Sequence, residues 1–91
     1  MDLTVETKQY VFTACYSFDY ILIYLINNMS KSEKRDEDES YYHLTKKEVK
    51  DLIEYLKQNN YGDGRDFWIV DCLTSMEMLM EGKEKAMFHF W

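Results

Sequence analysis

The chain has 91 residues, is 46% hydrophobic and 16% aromatic, and contains no proline and three glycines. That length holds one domain, residues 1–91, and the composition is too apolar for a disordered chain. A net charge of −6 argues against direct nucleic-acid binding, which needs clustered Lys and Arg opposite the phosphates.

Near the start, Val5, Thr7, Gln9 and Val11 alternate with Glu6, Lys8, Tyr10 and Phe12. Alternation with frequent β-branched residues predicts a strand over residues 3–12. Val11, Cys15, Phe18, Leu22, Leu25 and Met29 also share a helical stripe, so the strand is expected to give way to a helix near Thr13. That helix is placed at about Ala14–Asn28, with Phe18, Ile21, Leu22 and Leu25 on one face and Tyr16, Tyr20, Ile23 and Tyr24 over most of the rest. A helix so apolar all round belongs at the centre of a fold or half under another subunit, which leaves a homodimer open.

Residues 30–40, SKSEKRDEDES, contain no apolar side chain and read as a solvated acidic loop. Such a loop either keeps the chain soluble or contacts a basic partner. Thr45 then sets up the best-defined helix. It is an N-cap with Glu48 three residues on, a capping box, and Leu44 with Val49 can staple the entry. Val49, Leu52, Ile53 and Leu56 form one apolar face, and Asn59, Asn60, Gly62 and Gly64 are expected to end the helix through a left-handed cap.

A third helix follows from the spacing of Ile69, Cys72, Leu73, Met76, Leu79 and Met80, with Asp66 as N-cap and Gly82 as stop. Met76 and Met80 fall on its core stripe and Met78 on the outside. Residues 85–91 alternate Ala86, Phe88 and Phe90 against Met87, His89 and Trp91, a strand able to pair with residues 4–12. The expected fold is α+β, three helices with a small antiparallel sheet formed by the chain termini. An all-α arrangement is the alternative.

Chemistry-bearing constellations are sparse. His43 and His89 stand far apart with no ligand-spaced neighbours, so no metal or other cofactor is expected. Cys15 and Cys72 read as buried thiols of a reducing compartment, with a disulfide between them left open by the sequence. Asp36–Ser40 opens like a calcium loop but lacks the central Gly and the closing Glu, and Gly62-Asp63-Gly64 lacks the Gly-Lys-Ser/Thr of a phosphate loop. With no convergent polar set, the chain is expected not to be an enzyme. The longest apolar run, Tyr20–Ile26, is far short of the ~20 residues of a membrane span, so a cytoplasmic protein is expected.

The aromatic stretch CYSFDYILIYLI, the acidic gap, YYHLTKKEVKDLIEYLK and the aromatic end at Trp91 together resemble a group of small, acidic, tyrosine-rich proteins encoded by bacteriophages and prophages. The resemblance is architectural, covers most of the chain and carries no site residues across. It implies a mobile-element origin, where such proteins act as inhibitors of host defence, anti-CRISPR proteins among them. The leading expectation is a non-enzymatic module that inhibits a host nucleic-acid-binding complex. Asp36, Glu37, Asp38 and Glu39, with Glu77, Glu81 and Glu84, would occupy a basic protein surface. The alternative is an oligomeric nucleotide-binding protein whose Tyr16, Tyr20, Tyr24, Trp68 and Trp91 stack on a base.

Overall fold

Two hairpins share one central strand. The computed structural model describes residues 2–14, 19–28, 33–36, 39–59 and 67–91, without the side chains of residues 19, 33–36, 39 and 67. The elements are β1 (Leu3–Glu6), β2 (Val11–Ala14), α1 (Asp19–Asn28), β3 (Glu33–Asp36), β4 (Glu39–Thr45), α2 (Lys46–Gln58), α3 (Phe67–Leu79) and β5 (Lys85–Phe90). The sheet order is β2-β1-β5-β4-β3, antiparallel throughout. The fold is α+β, with the N- and C-terminal strands paired inside the sheet as expected. Leu3 faces Phe90, and Asp2 and Trp91 exchange backbone hydrogen bonds of 2.6 and 2.9 Å.

Alternation decides which face is buried. Ala14 and Phe12 of β2, Leu3 and Val5 of β1, Phe90, Phe88 and Ala86 of β5, and Tyr42 and Leu44 of β4 lie in register on one side. The helices cover that side. They supply Ile21 and Leu25 from α1, Val49, Leu52, Ile53 and Leu56 from α2, and Ile69, Val70, Leu73 and Met76 from α3, with Met80 just beyond. Tyr24 of α1 meets Tyr55 of α2 with ring centroids 4.6 Å apart, and Phe12 meets Trp68 of α3 edge-on at 6.5 Å. Lys46 Nζ donates to the Met80 carbonyl at 2.9 Å and so ties the start of α2 to the end of α3.

The capping box at Thr45 is present in full. Glu48 N–H donates to Thr45 Oγ1 at 3.2 Å, and Thr45 N–H donates to Glu48 Oε1 at 2.8 Å. Met76 and Met80 are buried and Met78 is exposed, as their spacing implied.

Two expectations need correction. The strand at residues 3–12 does not run into a helix near Thr13; it folds back into β2, and the described part of α1 starts at Asp19. The reversal is local. Thr7 N–H donates to the Tyr10 carbonyl at 2.8 Å, and Gln9 N–H reaches Thr7 Oγ1 at 3.4 Å, a hydroxyl-closed turn. Residues 33–36 and 39–40 are strand and not loop, with Lys34 opposite Ser40 and Asp36 opposite Glu39. Backbone pairing needs no apolar side chain, and charge on an edge strand resists pairing with another chain. Asn59 caps the C-terminal end of α2 at φ −101°, and its side-chain amide donates to the Tyr55 carbonyl at 2.8 Å; the following position, where a left-handed residue would stand, is Asn60. Asn60, Gly62, Gly64 and the proposed cap Asp66 lie outside the described residues.

Phe88 sits at the centre of the buried face, so Phe88→Ala is expected to cost about 3–5 kcal/mol in urea unfolding. Thr45→Ala should cost about 1 kcal/mol. Equal losses for the two would contradict a core centred on β5.

Candidate functional site

The side of the sheet away from the helices is the second row of the same alternation. In β5 it carries Lys85, Met87 and His89, and Trp91 continues the line. Tyr41 pairs with His89 across the β4–β5 ladder and His43 pairs with Met87, while Thr4 and Glu6 of β1 oppose His89 and Met87. No described helix covers this face. Val11 is 61% exposed on it and Trp91 48%.

Its aromatic part is ordered. The Tyr41 and His89 rings stack with centroids 4.1 Å apart and planes 9° apart, and His89 lies 6.1 Å from Trp91 at 29°. Trp91 Nε1–H donates to Thr4 Oγ1 at 3.0 Å, and that oxygen lies 3.1 Å from Thr13 Oγ1. The two hydroxyls hold the indole in place, so the row of rings is built before anything binds.

At the other end of the face, Glu6, Thr7, Lys8, Lys83, Glu84, Lys85 and Met87 line an open groove of about 520 Å³. Glu84 is its structural pin. Lys8 N–H donates to Glu84 Oε2 at 2.8 Å and Glu81 N–H donates to Oε1 at 3.3 Å. One carboxylate thus joins the β1–β2 turn to the α3–β5 turn across 76 residues of sequence.

The acidic residues expected to meet a partner are placed unequally. Glu37 and Asp38 lie outside the described residues, and Asp36 and Glu39 end β3 and begin β4. Glu77 is only 9% exposed on α3, and Glu84 is committed to backbone donors. Glu81 is fully on the surface. The aromatic set is also divided. Tyr20, Tyr24 and Trp68 pack against the core on the helical side, whereas Trp91 stands on the open face, and Tyr16 lies outside the described residues. Tyr41, Met87, Lys8, Lys83, Lys85 and Glu6 were missed as site residues. The signal for two of them, Lys85 and Met87, was the outward phase of KAMFHFW, which they share with His89 and Trp91.

Among the described residues no three His, Cys, Asp or Glu side chains form a cluster fit for a metal, and no helix is long and apolar enough to cross a membrane. Cys72 carries a free thiol and is half-buried. Cys15 lies outside the described residues. No protein-family model, curated protein or solved structure matches the chain.

Two phenols on the helical side are perturbed. A hydrogen bond to Cys72, then burial, holds Tyr10 protonated above the ordinary value of 10.0. Burial raises Tyr24, helped by the carboxylates of Asp51 and Glu48. Both shifts favour the neutral form in the folded state. Their contribution to stability is complete below the unfolded value near 10 and is lost as pH rises through the raised folded values. A tyrosinate absorbance titration should show late-ionising phenols that disappear in Tyr10→Phe and Tyr24→Phe. A titration unchanged by either replacement would contradict this placement.

Proposed function

We propose that the chain is a non-enzymatic binding module that docks a protein partner through the sheet face that no described helix covers and the acidic hairpin at its β3 edge. The observation that carries this reading is the ordered aromatic row Tyr41, His89 and Trp91 on a face that no described helix covers. A partner gains most from burying Trp and Tyr at the centre of a contact, and preordered rings lose little entropy on docking.

The partner's charge follows from what borders the row. Asp36 ends β3 and Glu39 begins β4, paired at one edge of the same sheet with Glu37 and Asp38 between them in sequence, and the chain as a whole carries −6. That favours a partner with a basic surface, reached quickly at low salt. A cationic groove that ordinarily takes phosphates has the right character. Inhibition of a host nucleic-acid-binding complex, by blocking such a groove, is the role we assign. The acidic run at residues 36–39 and the exposed Glu81 supply the approach and Trp91 the anchor, while the buried Glu77 and the committed Glu84 contribute little to the contact.

The test is a tagged pull-down from bacterial lysate with quantitative elution in salt. A stoichiometric partner released by salt is expected. Trp91→Ala should weaken its affinity by roughly 10–30-fold. Neutralising residues 36–39 to Asn and Gln should flatten the salt dependence. If both variants keep wild-type affinity and salt response, the docking face is elsewhere.

A further inference from the structure

The docking reading leaves the groove at the lysine end of the open face without a role. Lys8, Lys83 and Lys85 come from three places, the β1–β2 turn, the α3–β5 turn and the start of β5, and line one groove with Thr7 and Met87. In a chain of net charge −6, three lysines around one depression mark a local reversal of sign. Of the two glutamates in the wall, Glu84 already accepts two backbone N–H groups, which moderates its charge toward the groove. Glu6 is the remaining exposed carboxylate.

Three successive levels of the face follow from the register of β5. Lys85 forms the first, with Lys83 and Lys8 beside it in the groove. Met87 forms the second, flanked by Glu6 and His43. His89 forms the third, flanked by Thr4 and Tyr41, with Trp91 beyond. Same-side positions repeat every ~6.6 Å, so Lys85 and His89 stand ~13 Å apart along the strand. The levels therefore read cationic, then one carboxylate acceptor over a thioether, then aromatic. A nucleoside phosphate presents the complementary groups in that order: anion, hydroxyl-bearing sugar, flat base.

We infer that the sheet face left bare by the described helices holds a nucleoside diphosphate, with its phosphates at Lys8, Lys83 and Lys85, its ribose hydroxyls donating to Glu6, and its base against Met87 and the exposed indole of Trp91, since His89 is stacked on Tyr41 and its Nε2 is buried. Each contact has its own physical basis. Ammonium groups on phosphate oxygens make charge-assisted hydrogen bonds. A carboxylate accepts from sugar hydroxyls and disfavours a ligand with a second anion at that point. Thioether and ring surfaces gain from a base face. The groove volume of about 520 Å³ lies within the range of small-ligand sites. A longer single strand is disfavoured, because each added phosphate meets the negative field of the chain. The base end of the site shares Trp91 with the docking surface, whereas the lysine groove lies outside it, so the K83E/K85E pair with ADP alone tests this site apart from the partner.

ADP is the probe, titrated into the purified full-length chain at low salt and followed by calorimetry and backbone amide NMR. Inorganic phosphate, adenosine and a ten-nucleotide single strand are the comparison ligands. Saturable one-to-one binding of ADP is expected, tighter than phosphate or adenosine alone, with shifts at Lys85, Met87 and His89. The K83E/K85E pair, both exposed and outside the core, should weaken it at least tenfold with circular dichroism unchanged. Trp91→Ala should weaken ADP but leave phosphate unaffected. Absence of ADP binding, phosphate binding as tight as ADP, tighter binding of the single strand, or indifference to K83E/K85E would each overturn the assignment.

Discussion

The pairing of β5 on both sides is the constraint on which everything else depends. β1 and β4 are not hydrogen-bonded to each other; each is hydrogen-bonded to β5. Without that strand the structure is two separate hairpins, and an isolated hairpin is marginal in water. Phe88 and Phe90 also occupy the middle of the apolar face, with Tyr42 on one flank and Val5 and Leu3 on the other. Backbone pairing and core packing thus depend on the same six residues. Period-two alternation then makes the opposite row a necessary by-product: burying Ala86, Phe88 and Phe90 obliges Lys85, Met87 and His89 to line up on the other side.

That coupling explains how a functional surface arises in so small a protein. The described helices pack on one side of the five-stranded sheet, and the other side, which none of them covers, is the one we propose for recognition. The rings there are ordered by the sheet itself, through the cross-strand stack of Tyr41 on His89 and the hydroxyl pair Thr4 and Thr13 beneath Trp91. Along β5 the character of the face changes from cationic to aromatic, while the acidic hairpin adds a third character at the β3 edge. One short strand can in this way present different chemistry to different partners.

Much of the fold was legible where several local signals agreed. Thr45, Glu48 and the stripe from Val49 to Leu56 carried start, period and cap, and α2 follows them. KAMFHFW has a clean alternation, and β5 follows it, paired with the first strand as the pattern suggested. Failures came where a single signal was read without its competitor. Val11 fits a helical stripe, yet the Thr7–Tyr10 turn makes Val11–Ala14 a strand. Residues 30–40 have no apolar side chain and so read as loop, yet an edge strand needs only backbone partners, and residues 33–36 and 39–40 find them. The site was less legible than the fold. Glu77 looked like surface acid but lies on the buried side of α3, and Glu84 looked free but bridges two turns. The lysine groove joins residues far apart in the chain, and no local pattern announces such a meeting.

The central place of β5 also bears on how the molecule assembles. Its two neighbours differ greatly in sequence distance: Thr45 pairs with Lys85, whereas Leu3 pairs with Phe90. Entropy separates the two closures little, since doubling a loop costs only about 0.6 kcal/mol. Kinetically the difference matters more, because sheets built from distant pairings fold slowly. The segment from β4 through α2 and α3 to β5 contains the capping box, the Lys46–Met80 tie and the shorter closure, so it is the natural nucleus. The β1–β2 hairpin then adds to a strand already half satisfied. Until it does, the inner edge of β5 is bare, and that brief interval is when another chain's strand can take the vacancy.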